Sequence, residues 1–249
     1  MTVLLFTLLP LAVLAAYLLA ARRDGGWSAG RSASFAAGIL LIVVAMLPSV
    51  QHWAHHDLRG HMIQHLMLGM FAPLALMLGA PGTLLLRSVS VGAARRLVAL
   101  LALPPVRVLI HPITAALLDI GAMYVLYLTP LYGVMAHDPV LHVLLHVHFV
   151  LAGYLFSWSI AGPDPAPYRP GLRMRLTVLF AATAAHAVLG KVMYGFAYPR
   201  NTGVPIEGLR SAAQWMYYGG DLAEACLAVA FFAIWFRQRH RNAAGLVPA

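Results

Sequence analysis

Charge is what this chain has least of. Only 10% of its 249 residues are Asp, Glu, Lys or Arg, where a soluble domain carries roughly 25%, so water is excluded as its main solvent. Acidic residues are the scarcer sign, eight against seventeen Lys and Arg. Cysteine occurs once, as Cys226, which excludes a disulfide framework and any CxxC metal trap. Also missing are connections long enough to hold a soluble domain, short repeats of the solenoid kind, and the basic leader of a secretory signal. Only Met1 and Thr2 precede the first apolar run, and Arg22 and Arg23 follow it. A single polytopic domain over residues 1–249 is the expectation.

What the chain does have is apolar length. A bilayer core about 30 Å thick takes about 20 mainly apolar residues per helix. Seven runs fit, near residues 3–21, 34–50, 61–86, 108–128, 140–160, 172–196 and 212–236, with Gly- and Pro-rich breaks between them. The fold class is therefore an all-α membrane protein, a seven-transmembrane-helix bundle.

The arginines orient it. Arg22, Arg23 and Arg31 follow the first run, Arg87, Arg95, Arg96 and Arg107 the third, Arg169, Arg173 and Arg175 the fifth, and Arg237, Arg239 and Arg241 the seventh. The other connections hold only Arg59, Arg200 and Arg210. The positive-inside rule then puts the N-terminus outside and the C-terminus in the cytoplasm. The net charge of +9 is thereby a topology signal: the bilayer is the expected partner, and nucleic acid is not. The connection 88–107, basic and interspersed with apolar residues, reads equally well as an amphipathic surface segment or a solvated loop.

In this orientation all but His111 and His240 of the twelve histidines fall in the outer half or on the outer face. Residues i and i+4 share a helix face, so His61 with His65, and His142 with His146, each present two imidazoles side by side. If the third and fifth runs pack together, four ring nitrogens can surround one or two metal ions. Imidazole suits copper, zinc, iron and nickel, and thioethers such as those of Met62, Met67 and Met70 tilt the choice toward Cu(I). On the sixth run His186 and Met193, seven residues apart, are further candidates. His52, His55 and His56 read as loop residues, either a capture site or simply solvated, and His148 faces away from His146. A lone interfacial histidine is ordinarily just a polar tip at headgroup depth; two pairs on one side are harder to dismiss.

Other intramembrane polar residues have plainer expectations. Lys191 is expected to pair with Asp221 or Glu224, since unpaired charges there are costly, with a metal or proton acceptor role for one carboxylate as the alternative. Asp119 lies midway along the fourth run with fewer clues. Trp215, Tyr217, Tyr218 and Trp235 fit an aromatic belt. Pro73 should kink its helix. Gly69, Gly79, Gly153 and Gly190 suit close helix contacts, and a bulky side chain at Gly190 would block the His186 ring.

Two stretches carry a resemblance. HMIQHLMLGMFAPLALMLGAP (61–81) and HDPVLHVLLHVHFVLAGYLFSWSIAGPDPAP (137–167) resemble the third- and fifth-helix signatures of the CtaG family, cytochrome c oxidase assembly proteins associated with caa3-type oxidases. The likeness covers most of the chain and is weakest in the first run; Asp221 and Glu224 match no family motif. It implies a multi-pass protein of the bacterial plasma membrane that helps mature an oxidase copper centre on the outer side, with the family's paired histidines at His61, His65, His142 and His146. Pro73, Leu74, Gly79 and Pro81 carry over its Pro-Leu and Gly-x-Pro features, and His186 sits where a third contributor would stand. The implied partners are oxidase subunits or a copper metallochaperone, and a homo-oligomer stays open.

The expected function is therefore assembly of the oxidase, with copper, as Cu(I), held and passed on by His and Met ligand exchange. No catalytic nucleophile is needed, so an enzyme is not expected. Three rivals remain: a bis-histidine haem protein, a copper transporter using Asp119, Asp221 and Glu224, and a metal-free scaffold.

Overall fold

Apolar residues without water must satisfy every backbone polar group internally, and the helix does this within one segment. The computed structural model describes residues 7–243, and among these every regular element is helical. In chain order they are α1 (Leu9–Asp24), α2 (Ala29–Ala45), α3 (Pro48–His56), α4 (Leu58–Leu78), α5 (Pro81–Ser88), α6 (Val91–Leu101), α7 (Pro104–Leu109), α8 (Pro112–Leu128), α9 (Leu131–His137), α10 (Pro139–Ala161), α11 (Leu172–Phe196) and α12 (Ile206–Ala243).

Four helices are long and apolar enough to cross a membrane: Leu58–Leu78, Pro139–Ala161, Leu172–Phe196 and Ile206–His240. The count rises to six if two bent pairs each span once, α2 with α3 at 57° and α8 with α9 at 84°. Among the described residues seven uninterrupted spans are thus not reached. α1 has 16 described residues, and positions 3–6 of the first run lie outside the described residues. The second run breaks at Met46–Leu47, where Pro48 restarts the chain as α3. His52, His55 and His56, expected in a loop, are therefore helical. The third run stops at Leu78 rather than Leu86, because Ala80 takes a left-handed conformation (φ 49°) ahead of Pro81. The connection 88–107 folds as α6 and α7 rather than as a loop.

α4 is the hub, packed against α2, α3, α10 and α12. On one side Leu68, Ala72 and Leu76 join Tyr17, Phe35 and Ile39 of α1 and α2. On the other, Met62, Leu74 and Met77 join α8, α10, α11 and α12. In α4 and α8 one turn each departs from α-helical register: Leu66–Phe71 and Leu117–Gly121 are π-helical. Pro73 does not split α4, which remains one span. It has no N–H for the Gly69 carbonyl four residues back, and Gly153 of α10 lies so close to that carbonyl that a Cβ there would overlap it. These two glycines set the α4–α10 separation.

At the arginine-rich end a latch closes the bundle. The buried Asp164 carboxylate accepts from Gly82 N (3.2 Å), Thr83 N (2.6 Å) and Thr83 Oγ1 (2.6 Å) at the start of α5. Arg169 donates to the carbonyls of Gly162 and Asp164. Burial pushes its guanidinium pKa down to about 10, which leaves it charged at neutral pH.

A candidate histidine site with a buried carboxylate neighbour

Cβ atoms four apart on a helix stack on one face, and α4 aims His61 and His65 of that face at α8 and α10. His61, His65 and His146 line one enclosed cavity of about 10 Å³, together with Leu68, Tyr127 and Phe149. The expected meeting of the third and fifth runs is thereby present. All three rings are buried. Among the described residues, however, no three His, Cys, Asp or Glu side chains stand close enough to hold one ion as placed.

The rings differ in what holds them. His146 Nδ1 donates to the His142 carbonyl oxygen at 2.9 Å, and its Nε2 lies 3.2 Å from Gln64 Oε1. A backbone carbonyl on one ring nitrogen is the usual device for fixing a ligating tautomer. His61 Nε2 stands 3.2 Å from the Tyr127 hydroxyl. His65, 5% exposed, has no hydrogen-bond partner on either nitrogen among the described residues; its ring meets those of Tyr127 and Phe149 edge to face.

His142 does not line the cavity but stacks on its rim, 4.3 Å from the His146 ring and 4.8 Å from that of His55. His55 of α3 thus joins the four expected imidazoles. His148 turns away and donates to the Leu118 carbonyl (2.9 Å) inside the α8 π-helical turn.

His186 lies elsewhere. It is fully buried, with Nδ1 3.8 Å from Glu224 Oε1 of α12, and among the described residues neither ring nitrogen nor either carboxylate oxygen has a hydrogen-bond partner. Glu224 and Asp119 line a second cavity, of about 20 Å³, with Gly69, Met70 and Ser157. That is room for about one water. Gly69 joins the two places, since a Cβ on it would stand 3.2 Å from His65 Cε1. Met193 is buried in the core and lines neither cavity.

Two expectations need correcting. Lys191 makes no ion pair among the described residues; it is exposed, 5.6 Å from the Tyr217 ring, because five residues from His186 carry it off the buried face. Gly190 faces Tyr217, whereas Gly220 of α12 lies against the His186 ring, where a Cβ would collide with it. Gln64 and Tyr127 were also missed. Gln64, 1% exposed, is a polar side chain inside an apolar run and so carried a signal; Tyr127 carried none.

The comparisons with known proteins give one family model and several uncharacterized relatives. A family model described as cytochrome c oxidase caa3 assembly factor (Caa3_CtaG) matches residues 11–238. An uncharacterized protein of Mycobacterium leprae is 31% identical over 89% of this chain and 37% of its own length. Uncharacterized proteins of Mycobacterium bovis and Mycobacterium tuberculosis are each 32% identical over 89% of this chain and 36% of theirs. The chain thus spans little more than a third of the curated relatives it matches. No solved structure matches it.

Proposed function

We propose, for a chain that belongs to the cytochrome c oxidase caa3 assembly factor family, that it carries copper to an oxidase subunit or its metallochaperone from the His61, His65 and His146 cavity. It is a carrier and not an enzyme, seated in the bacterial plasma membrane. α1 and the two bent pairs complete seven crossings, with the N-terminus outside and the C-terminus cytoplasmic, so that the histidine end faces outward.

The observation that carries this reading is His65. A buried imidazole with no partner on either nitrogen costs stability unless something occupies it, and two further imidazoles line the same small space. The donor set is imidazole with no thiolate, which suits copper. His61 and His146 complete the ligand set once the side chains draw in on the ion, and the π-helical turn that begins right after His65 is where α4 can adjust. His142 and His55 at the rim give the cargo a first stop outside the cavity. As packed, the space is too small to admit a haem macrocycle between the rings.

The test is anaerobic Cu(I) loading of the detergent-purified chain, with elemental analysis and an optical spectrum, beside a His65→Ala/His146→Ala double variant. Stoichiometric copper, lost in the variant and without a Soret band, is expected. Full copper retention by the double variant would sink the cavity as the site, and no copper on the parent chain would leave a metal-free scaffold.

The Glu224 and Asp119 cavity, reached from His65 past Gly69, favours a second reading in which copper moves inward. Copper uptake into sealed vesicles separates transport from hand-over at the surface.

A further inference from the structure

Between Pro81 and His111 the chain carries four arginines and no acidic residue. α6 lies along this stretch with none of its residues buried. Val91 is 68% and Leu100 53% exposed, and Arg95 and Arg96 make no ion pair among the described residues. Beneath it opens a mainly apolar groove of about 300 Å³, lined chiefly by Leu85 and Leu86 of α5, Leu97 and Leu101 of α6, and Leu155 and Trp158 of α10; Asp164 also lines it, its carboxylate taken up by the donors of Gly82 and Thr83. That volume is at the lower end for ligand sites.

The helix register divides the chemistry. Leu97 and Leu101, four apart, face the groove; Arg96, about 100° round from Leu97, stands at its rim, and Arg95 lies on the back. An occupant that suits both parts has an apolar tail and an anionic head. A second copy of this chain would bring the same cationic end and be repelled, and a zwitterionic lipid would leave the arginines without a counter-charge.

We propose that the groove under α6 binds an acyl chain of an anionic phospholipid, with its headgroup phosphate held at the rim by Arg96. This is independent of the copper reading, since the groove and the histidine cavity share no residue.

The full chain, delipidated in detergent, is offered phosphatidylglycerol, phosphatidylcholine or inorganic phosphate, and retained ligand is read by native mass spectrometry. Phosphatidylglycerol is expected to be retained about tenfold or more over phosphatidylcholine, with inorganic phosphate not retained. Arg95→Gln/Arg96→Gln, at exposed positions that leave folding intact, should abolish the preference. Leu101→Trp, which fills the groove, should reduce retention of both lipids while helicity stays unchanged. Equal retention of the two lipids, a preference indifferent to the arginines, retention indifferent to Leu101→Trp, or a dimer in place of bound lipid would each overturn the proposal.

Discussion

The Asp164 latch and the histidine cavity handle buried polarity in opposite ways. At the latch one carboxylate meets three donors at 2.6–3.2 Å. At the cavity and its neighbour His65, His186 and Glu224 keep six ring and carboxyl atoms that meet none. Buried polar groups are ordinarily paired, and each exception asks for a reason. The latch has the signature of stability. On the proposed copper reading the cavity is a site whose partner arrives from outside the chain, and substitutions in the two regions should therefore move stability and binding in different directions.

The largest effect is expected at the latch. Asp164→Ala leaves the amides of Gly82 and Thr83 and the Thr83 hydroxyl without their acceptor. Each bond to a charged group is worth about 1.5–3 kcal/mol, so a loss of at least about 3 kcal/mol should appear in thermal unfolding in detergent. Copper stoichiometry measured below the transition should stay at the parent value. Loss of copper with stability unchanged would erase the contrast.

Next comes Gly220→Ala, whose Cβ must displace the His186 ring. Overpacking of this kind costs about 1–3 kcal/mol. Gly190→Ala meets Tyr217, no nearer than 3.1 Å, and should cost less. The order of the two unfolding temperatures checks which glycine guards the imidazole; the reverse order would restore Gly190 to that role.

In the cavity the sign should change. His65→Phe replaces an unpartnered buried imidazole by an apolar ring among Tyr127 and Phe149, and removing such a group is neutral or stabilising, by about 1 kcal/mol. Copper binding should be lost at the same time, a separation of stability from function that is common at sites. A marked drop in the unfolding temperature would mean that His65 is held by something structural.

Sequence reading reached the parts governed by local pattern. The 172–196 run returns as α11 with both ends in place: Pro170 and Gly171 precede its first residue, and Ala197 takes a left-handed conformation after its last. The i, i+4 spacing of His61 with His65 placed both rings on one face, and the small residues Gly69 and Gly153 foretold the close approach of α4 and α10. What escaped depends on tertiary contact. Ala80 adopts a left-handed conformation where no glycine marks it, while the Tyr17 hydroxyl donates to the preceding Gly79 carbonyl at 2.8 Å. The π-helical turns have no period that a sequence displays. Lys191 was given a carboxylate partner because intramembrane charges pair, but it reaches the surface, and Glu224 faces His186 instead.

The smallest effect probes where α4 begins, one turn ahead of the cavity. Asp57 caps this helix, accepting from Arg59 N at 2.8 Å, and Arg59, hydrogen-bonded to the carboxylate and paired with it, holds that carboxyl below its usual range. Loss of an N-cap acid to alanine costs typically about 1 kcal/mol, whereas Asp57→Asn keeps an acceptor and should lose only part of that. Because the folded pKa is depressed, the stabilisation is fully present above the unfolded value near 3.9 and is lost as pH falls through the lower folded value. The gap between wild type and Asp57→Asn in unfolding temperature should therefore narrow below about pH 4, with copper binding at neutral pH the same in both. If the cap variant also released copper, the start of α4 would belong to the site, and the division between a partnered scaffold and an unpartnered cavity would run further up the helix than His61.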